Sequence, residues 1–371
     1  MKRKIRISII MALVFMLYIN VRAQAPLPCG NPKINEAAVV RARQYQLSNT
    51  SRVAAVNYLV RVYFHIVTND DGSNAAITDA QIATEFTALL ASYAANNICF
   101  LNAGTNYVKN TFLNTLFNAD NDPEGTFFLP YQVPNCVNVF YTQTIKGNNT
   151  ACNPPCGYGG IALGGIPGTF FLVANSNIGS GSTISHEMGH NLGLLHSFET
   201  VYGFEKIDGS NAGFAGDQVT DTPADPFAYN GNACFLVSPD KCRFIGICPD
   251  SSNAINYKPP YTNLMGYWWR NGCYPNLTAS NGQFARVNSF LGSFIPLIGC
   301  SSAADVVQTG ISVSSGYYMN SALNSFTTSG SVSFSGNTRA TMGGSIVRLN
   351  PGFHANPGTD GIVRIETKPC N

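Results

Sequence analysis

The chain has 371 residues, with 22 Lys+Arg against 20 Asp+Glu, 45% hydrophobic residues and 11% charged residues. That apolar content supports a large core and excludes a disordered chain, with room for one large domain and a smaller one. A net charge of +2, with no basic stripe and no phosphate-cradling glycine loop, excludes nucleic acid as the main partner.

Lys2, Arg3, Lys4 and Arg6 precede the apolar run Ile7 to Ile19, and Ala23-Gln24-Ala25 supplies small residues for cleavage. The run is too short to span a bilayer and no other stretch is long enough, so residues 1–25 read as a secretory signal peptide. Export makes the 11 Cys readable as disulfides, and the odd count leaves one thiol without a partner. Residues 26–53 are polar and weakly periodic, with Arg41, Arg43 and Arg52 as processing candidates, and read as a pro-segment.

Tyr58 to Val67 is β-branched and aromatic, which predicts a buried strand ending at the turn Asn69-Asp70-Asp71-Gly72. Thr78-Asp79 caps an amphipathic helix with Ile82, Phe86, Leu89, Leu90 and Tyr93 on one face. Strands follow at Ile98–Leu101, Val137–Ile145 and Thr169–Ala174, then a helix near Ser182. This order predicts an α/β (α+β) domain over residues 54–300. The stretch from Glu199 to Tyr261 is long and aperiodic, as in segments held by ions or disulfides. From Ser301 to Asn371 short strands broken by turns predict a separate β-rich module, without exact internal repeat.

The chemistry concentrates in His186-Glu187-Met-Gly-His190-Asn-Leu-Gly193-Leu-Leu-His196. His186 and His190, four apart, share one helix face and can offer imidazole nitrogen to one zinc. Glu187 lies about 100° round, able to reach a water at the metal without ligating it. His196 would point roughly 240° away on a continued helix. Gly193, tolerant of positive φ, ends the helix and turns the chain so that His196 can join. Three neutral ligands and one open position make a catalytic rather than structural site.

This pattern resembles the metzincin zinc peptidases, and Asn263-Leu264-Met265-Gly266-Tyr267 resembles their Met-turn. Gly216-Asp217-Gln-Val-Thr-Asp221-Thr222-Pro223, Cys273 and Gly282-Gln283-Phe-Ala-Arg286-Val287 resemble the pappalysin branch, over about Val53 to Cys300. The resemblance implies a twisted mixed sheet above an active-site helix and a secreted zinc endopeptidase acting on protein or peptide substrates, expected as a monomer. It also implies Glu187 as the proton acceptor, Met265 as an apolar floor, Tyr267 as a donor to the oxyanion, and calcium near Asp217, Asp221 and Thr222. Cys29-Gly30 resembles the thiolate pair with which similar pro-segments block the zinc. Cys248 with Cys273 is a pairing implied in the same way.

Two positions depart from the family pattern. Gly266 and Arg270 stand where relatives carry Asp, and an Arg at 270 should repel a basic side chain just after the cut. Cys300 with Cys370 would staple the C-terminal module, and Cys152-Asn-Pro-Pro-Cys156 reads as a disulfide loop rather than a second zinc site. An extended substrate is expected to pair with an edge strand near Thr169–Ala174. The competing reading is a secreted binding or adhesion protein with a vestigial metal site.

Overall fold

Strand β1 (Tyr58–Thr68) is buried along its whole length, because both faces of the sheet it centres are covered. In the computed structural model the described residues are 29–30, 33–40, 58–149, 156–166, 168–228, 249–250, 253–260, 262–267, 277–294, 300–301 and 303–367. The signal peptide, Arg41, Arg43, Arg52 and Arg270 lie outside them. So do residues of each expected pair Cys152–Cys156, Cys248–Cys273 and Cys300–Cys370.

Strands β2 (Ile98–Lys109), β1, β3 (Val137–Thr142) and β7 (Phe170–Ala174) run parallel in that order, and β6 (Gly160–Ala162) closes the sheet antiparallel to β7. Between them β4 (Ile145–Asn149) and β5 (Cys156–Tyr158) form a hairpin. Beyond the sheet come β8 (Pro249–Asp250), β9 (Asn253–Asn256) and β10 (Cys300–Ser301), the last antiparallel to the start of β1. One face of β1, carrying Val60, Val62, Phe64 and Ile66, packs under the helices α1 (Asp79–Tyr93), α2 (Ser182–Asn191) and α3 (Asn281–Phe294). Helix α1 begins at the expected place, where Thr78 and Gln81 make a reciprocal capping box.

Residues 170–174 are not the sheet edge that the sequence suggested. They are paired on both sides, by β3 and by β6, and the edge strand on this side is Gly160–Ala162. A three-residue, glycine-bearing strand is too short to show alternation, so the hydrophobic pattern pointed to its longer neighbour.

The C-terminal module also differs from short strands broken by turns. Strands β11 (Asp305–Ser321) and β12 (Ser325–Gly344) are long and parallel, and β13 (Ile346–Arg348), β14 (Phe353–Pro357) and β15 (Ile362–Thr367) all pair in parallel with β12. Partners such as Ile311 with Val332 and Val332 with Phe353 repeat at about 21 residues, the signature of stacked coils in a β-solenoid. Ala322, Phe326, Val332, Phe334, Ala340 and Met342 fill its interior.

The solenoid lies on the second face of the six-stranded sheet. Leu323 packs with Leu59 and Leu101, and Met319 with Tyr63 and Ala103. The Thr341 hydroxyl donates to the Ala103 carbonyl at 2.6 Å, and buried Arg61 donates to Ser321 Oγ at 2.7 Å and to the Asn135 carbonyl at 3.0 Å. Cys99 is disulfide-bonded, whereas Cys29 and Cys136 are free and buried. The single unpaired thiol expected from the count is thus accompanied by a second, Cys136, at the solenoid interface.

Candidate metal centre

Helix α2 is buried from Thr183 to Asn191, so His186, Glu187 and His190 are held on a rigid element away from bulk solvent. Gly193 has φ +91°, a left-handed conformation that ends the helix and carries the chain back toward it. As the spacing predicts, His196 then meets the two helical histidines. Its Nε2 lies 3.2 Å from His186 Nε2 and 3.1 Å from His190 Nε2.

Each helical imidazole is oriented from behind. His186 Nδ1 contacts the Leu264 carbonyl at 2.7 Å and His190 Nδ1 the Leu194 carbonyl at 2.9 Å. A carbonyl only accepts, so Nδ1 carries the proton and Nε2 presents its lone pair to the shared point. Two nitrogens about 2.0–2.1 Å from one tetrahedral ion sit about 3.3 Å apart, close to the spacing observed. Burial lowers the His186 pKa to about 4 and holds His190 and His196 well below the ordinary value, helped by their neighbouring rings. Neutral, converging imidazoles are the donor set that a divalent cation requires.

The segment Asn263–Tyr267 supports this geometry. The Asn263 side chain accepts the Met265 amide at 2.8 Å, Leu264 supplies the carbonyl behind His186, and the Met265 carbonyl accepts the Ser197 amide at 3.1 Å, next to His196. Met265 itself is fully buried against Gly189 of α2. Glu187 is buried with neither carboxylate oxygen hydrogen-bonded among the described residues. Desolvation by burial is the dominant influence on its pKa and raises it to about 8.

Cys29 reaches the same point. One ligand atom each of Cys29, His186, His190 and His196 lies within 4.8 Å of the others, a group without parallel among the described residues. The chain from Cys29 runs parallel to the sheet edge. The Gly30 amide donates to the Gly160 carbonyl at 2.9 Å, the Ile166 amide to the Lys33 carbonyl at 2.6 Å, and the Asn35 amide to the Ile166 carbonyl at 2.9 Å. A Cβ on residue 30 would collide with the Ile161 side chain, so any larger residue after the cysteine would have to displace it. The Tyr267 hydroxyl donates to the Cys29 carbonyl at 2.7 Å, with its ring 5.1 Å from that of His196.

No family model matches the chain. An extracellular metalloprotease of Podospora anserina is 30% identical over 274 residues, covering 70% of this chain and 83% of the relative. The chain belongs to the extracellular metalloproteases. Further metalloproteases of that description, from Colletotrichum graminicola and Verticillium alfalfae, are 26% identical over 291 residues and 28% over 272. They cover 72% and 68% of this chain, and 91% and 82% of their own lengths. This metalloprotease is therefore a secreted protein that acts on proteins. Among its described residues no helix is long and apolar enough to cross a membrane.

Asp217, Asp221 and Thr222, expected around calcium, are engaged as follows. Asp221 accepts Ser280 Oγ at 2.6 Å and the Gly282 amide at 2.8 Å, capping the start of α3, and Asp217 accepts the Val219 amide at 2.9 Å. Burial pushes the Asp217 pKa up to about 7, and Thr222 Oγ1 is buried without a hydrogen bond among the described residues. The sequence did not single out the short edge strand, the carbonyls behind the imidazoles, or the ion pair of Lys33 with Glu124 at 2.5 Å. None of these carries a motif. Each is created by chain reversal.

Proposed function

We propose that this metalloprotease is a zinc endopeptidase of the pappalysin-like metzincin type, synthesised with residues 26–53 as a pro-segment that Cys29 locks onto the metal. The observation that carries the reading is the convergence of three imidazole Nε2 atoms beside an unpartnered, buried carboxylate. His186, His190 and His196 hold zinc, which when bound polarises the scissile carbonyl and lowers the pKa of a water toward ~7.

Substrate adds to the Gly160–Ala162 edge as an extended strand. Glu187 takes the proton of the attacking water at a carboxylate oxygen and hands it to the departing amine nitrogen. Tyr267 donates its hydroxyl to the oxygen of the attacked carbonyl, as it already does to the peptide carbonyl of Cys29. Met265 keeps the floor of the site apolar. Arg270 disfavours a basic residue immediately after the cut.

The test is casein hydrolysis by the zinc-loaded protein. A chelator and, separately, Glu187→Gln should each abolish it, with zinc restoring the chelated enzyme. Hydrolysis that survives Glu187→Gln would overturn the assignment of the base.

A further inference from the structure

The segment that fills the cleft marks a subsite that no motif revealed. Cys29, beside the three imidazoles, bridges Gly160 at the sheet edge, and Ile34 bridges Ile166 beyond it. Side chains alternate along an extended chain, so Lys33 and Asn35 project to the same side, opposite Ile34. Lys33 Nζ contacts Glu124 Oε1 at 2.5 Å. Glu124 belongs to the rim next to the cleft, because the Pro123 carbonyl accepts the Gly164 amide of the loop that leaves β6. Two residues on, the Thr126 and Phe127 amides both donate to Asp122, which pins this rim from within.

We propose that Glu124 is a specificity-determining residue: the active protease prefers substrates with Lys or Arg at the position that Lys33 now occupies. This rests on the reading of the cleft as a peptide-binding groove and adds a class of side chain to it. A chain antiparallel to β6, the more stable of the two ladders, runs opposite to the pro-segment. Its residues near Ile166 therefore precede the scissile bond, which places the basic residue about three or four positions before the cut. The pair is largely exposed, with side chains 65% and 46% accessible, so the preference is modest and salt-sensitive.

The experiment uses the zinc-loaded enzyme after removal of its pro-segment, with matched fluorogenic peptides carrying Lys, Ala or Glu at the third and fourth positions before the cut. Wild type should cleave the Lys peptide about 3- to 5-fold better than the Ala peptide at low salt, the size expected of an exposed ion pair, and the ratio should shrink at high salt. Glu124→Ala should bring the ratio to about 1, and Glu124→Lys should reverse it in favour of Glu. Equal cleavage of all peptides by wild type, or a Lys preference that survives Glu124→Lys, would overturn the subsite while leaving the peptidase reading intact. No cleavage of any peptide by zinc-loaded wild type would overturn that reading itself.

Discussion

The Tyr267 hydroxyl donates a 2.7 Å hydrogen bond to the backbone carbonyl of Cys29, the residue whose thiol faces the three imidazoles. A phenol so placed meets a peptide carbonyl before any substrate arrives. Tyr267→Phe keeps the buried ring and loses only the donor. It should lower kcat by about 10²-fold, the cost of one oxyanion donor, with little change in KM. Steady-state kinetics on a fluorogenic peptide check this, and an unchanged kcat would remove Tyr267 from the mechanism.

The same contact bears on latency. Cys29 is 5% exposed, and burial together with Glu187 pushes its thiol pKa well up. A metal reverses that preference, since thiolate is a strong zinc ligand. On the latency reading, wild type should show a lag in casein hydrolysis and Cys29→Ala should show none. Progress curves of freshly purified proteins read the difference, and equal lags would dissociate the thiol from inhibition.

Glu85 lies on α1, but its carboxylate accepts the Gly179 amide at 2.7 Å, just ahead of the helix that carries two histidines. It is fully buried, with Oε2 unpaired among the described residues, and desolvation raises its pKa, partly offset by the Gly179 and Gly181 amides. A folded-state pKa above the unfolded value gives stability that is complete below about pH 4.3 and is lost as pH rises through the raised value. Wild type should thus lose Tm relative to Glu85→Gln as pH increases from about 4, until the carboxyl has ionised. Thermal unfolding of both proteins across that range, at fixed zinc, tests the sign. A parallel pair of curves would show that burial does not perturb this group.

The solenoid supplies one wall of the catalytic sheet's second core. Ending the chain at Ser301 would expose Leu59, Tyr63 and Leu101, each worth roughly 1.5–3 kcal/mol when buried, and would strip Arg61 of Ser321. The truncated protein should bind a hydrophobic dye and lose a cooperative melt. A truncation that melts like the full chain would make the module a detachable appendage.

The metal centre was legible because its signal is local. A histidine pair at helical spacing, then a glycine able to adopt φ +91°, fix the approach of His196 within eleven residues. Strand β1 and the cap at Thr78 were readable for the same reason. The edge strand was not, since Gly160–Ala162 is defined only by its pairing with β7. The coils escaped as well. Their repeat lies in the stacking of Val332 on Ile311 and Phe353 on Val332, while the residues between vary freely. The helical character of α3 was hidden too, since the cap that starts it, Asp221, comes from sixty residues upstream.

The backbone bonds of residues 30, 33 and 35 to Gly160 and Ile166 have a consequence for solubility. A bare strand margin recruits other chains and seeds clumping. Residues 30, 33 and 35 cover part of that margin, so under the pro-segment reading proposed above the uncleaved protein would resist self-association and the processed one would be the form that needs a client, or dilution.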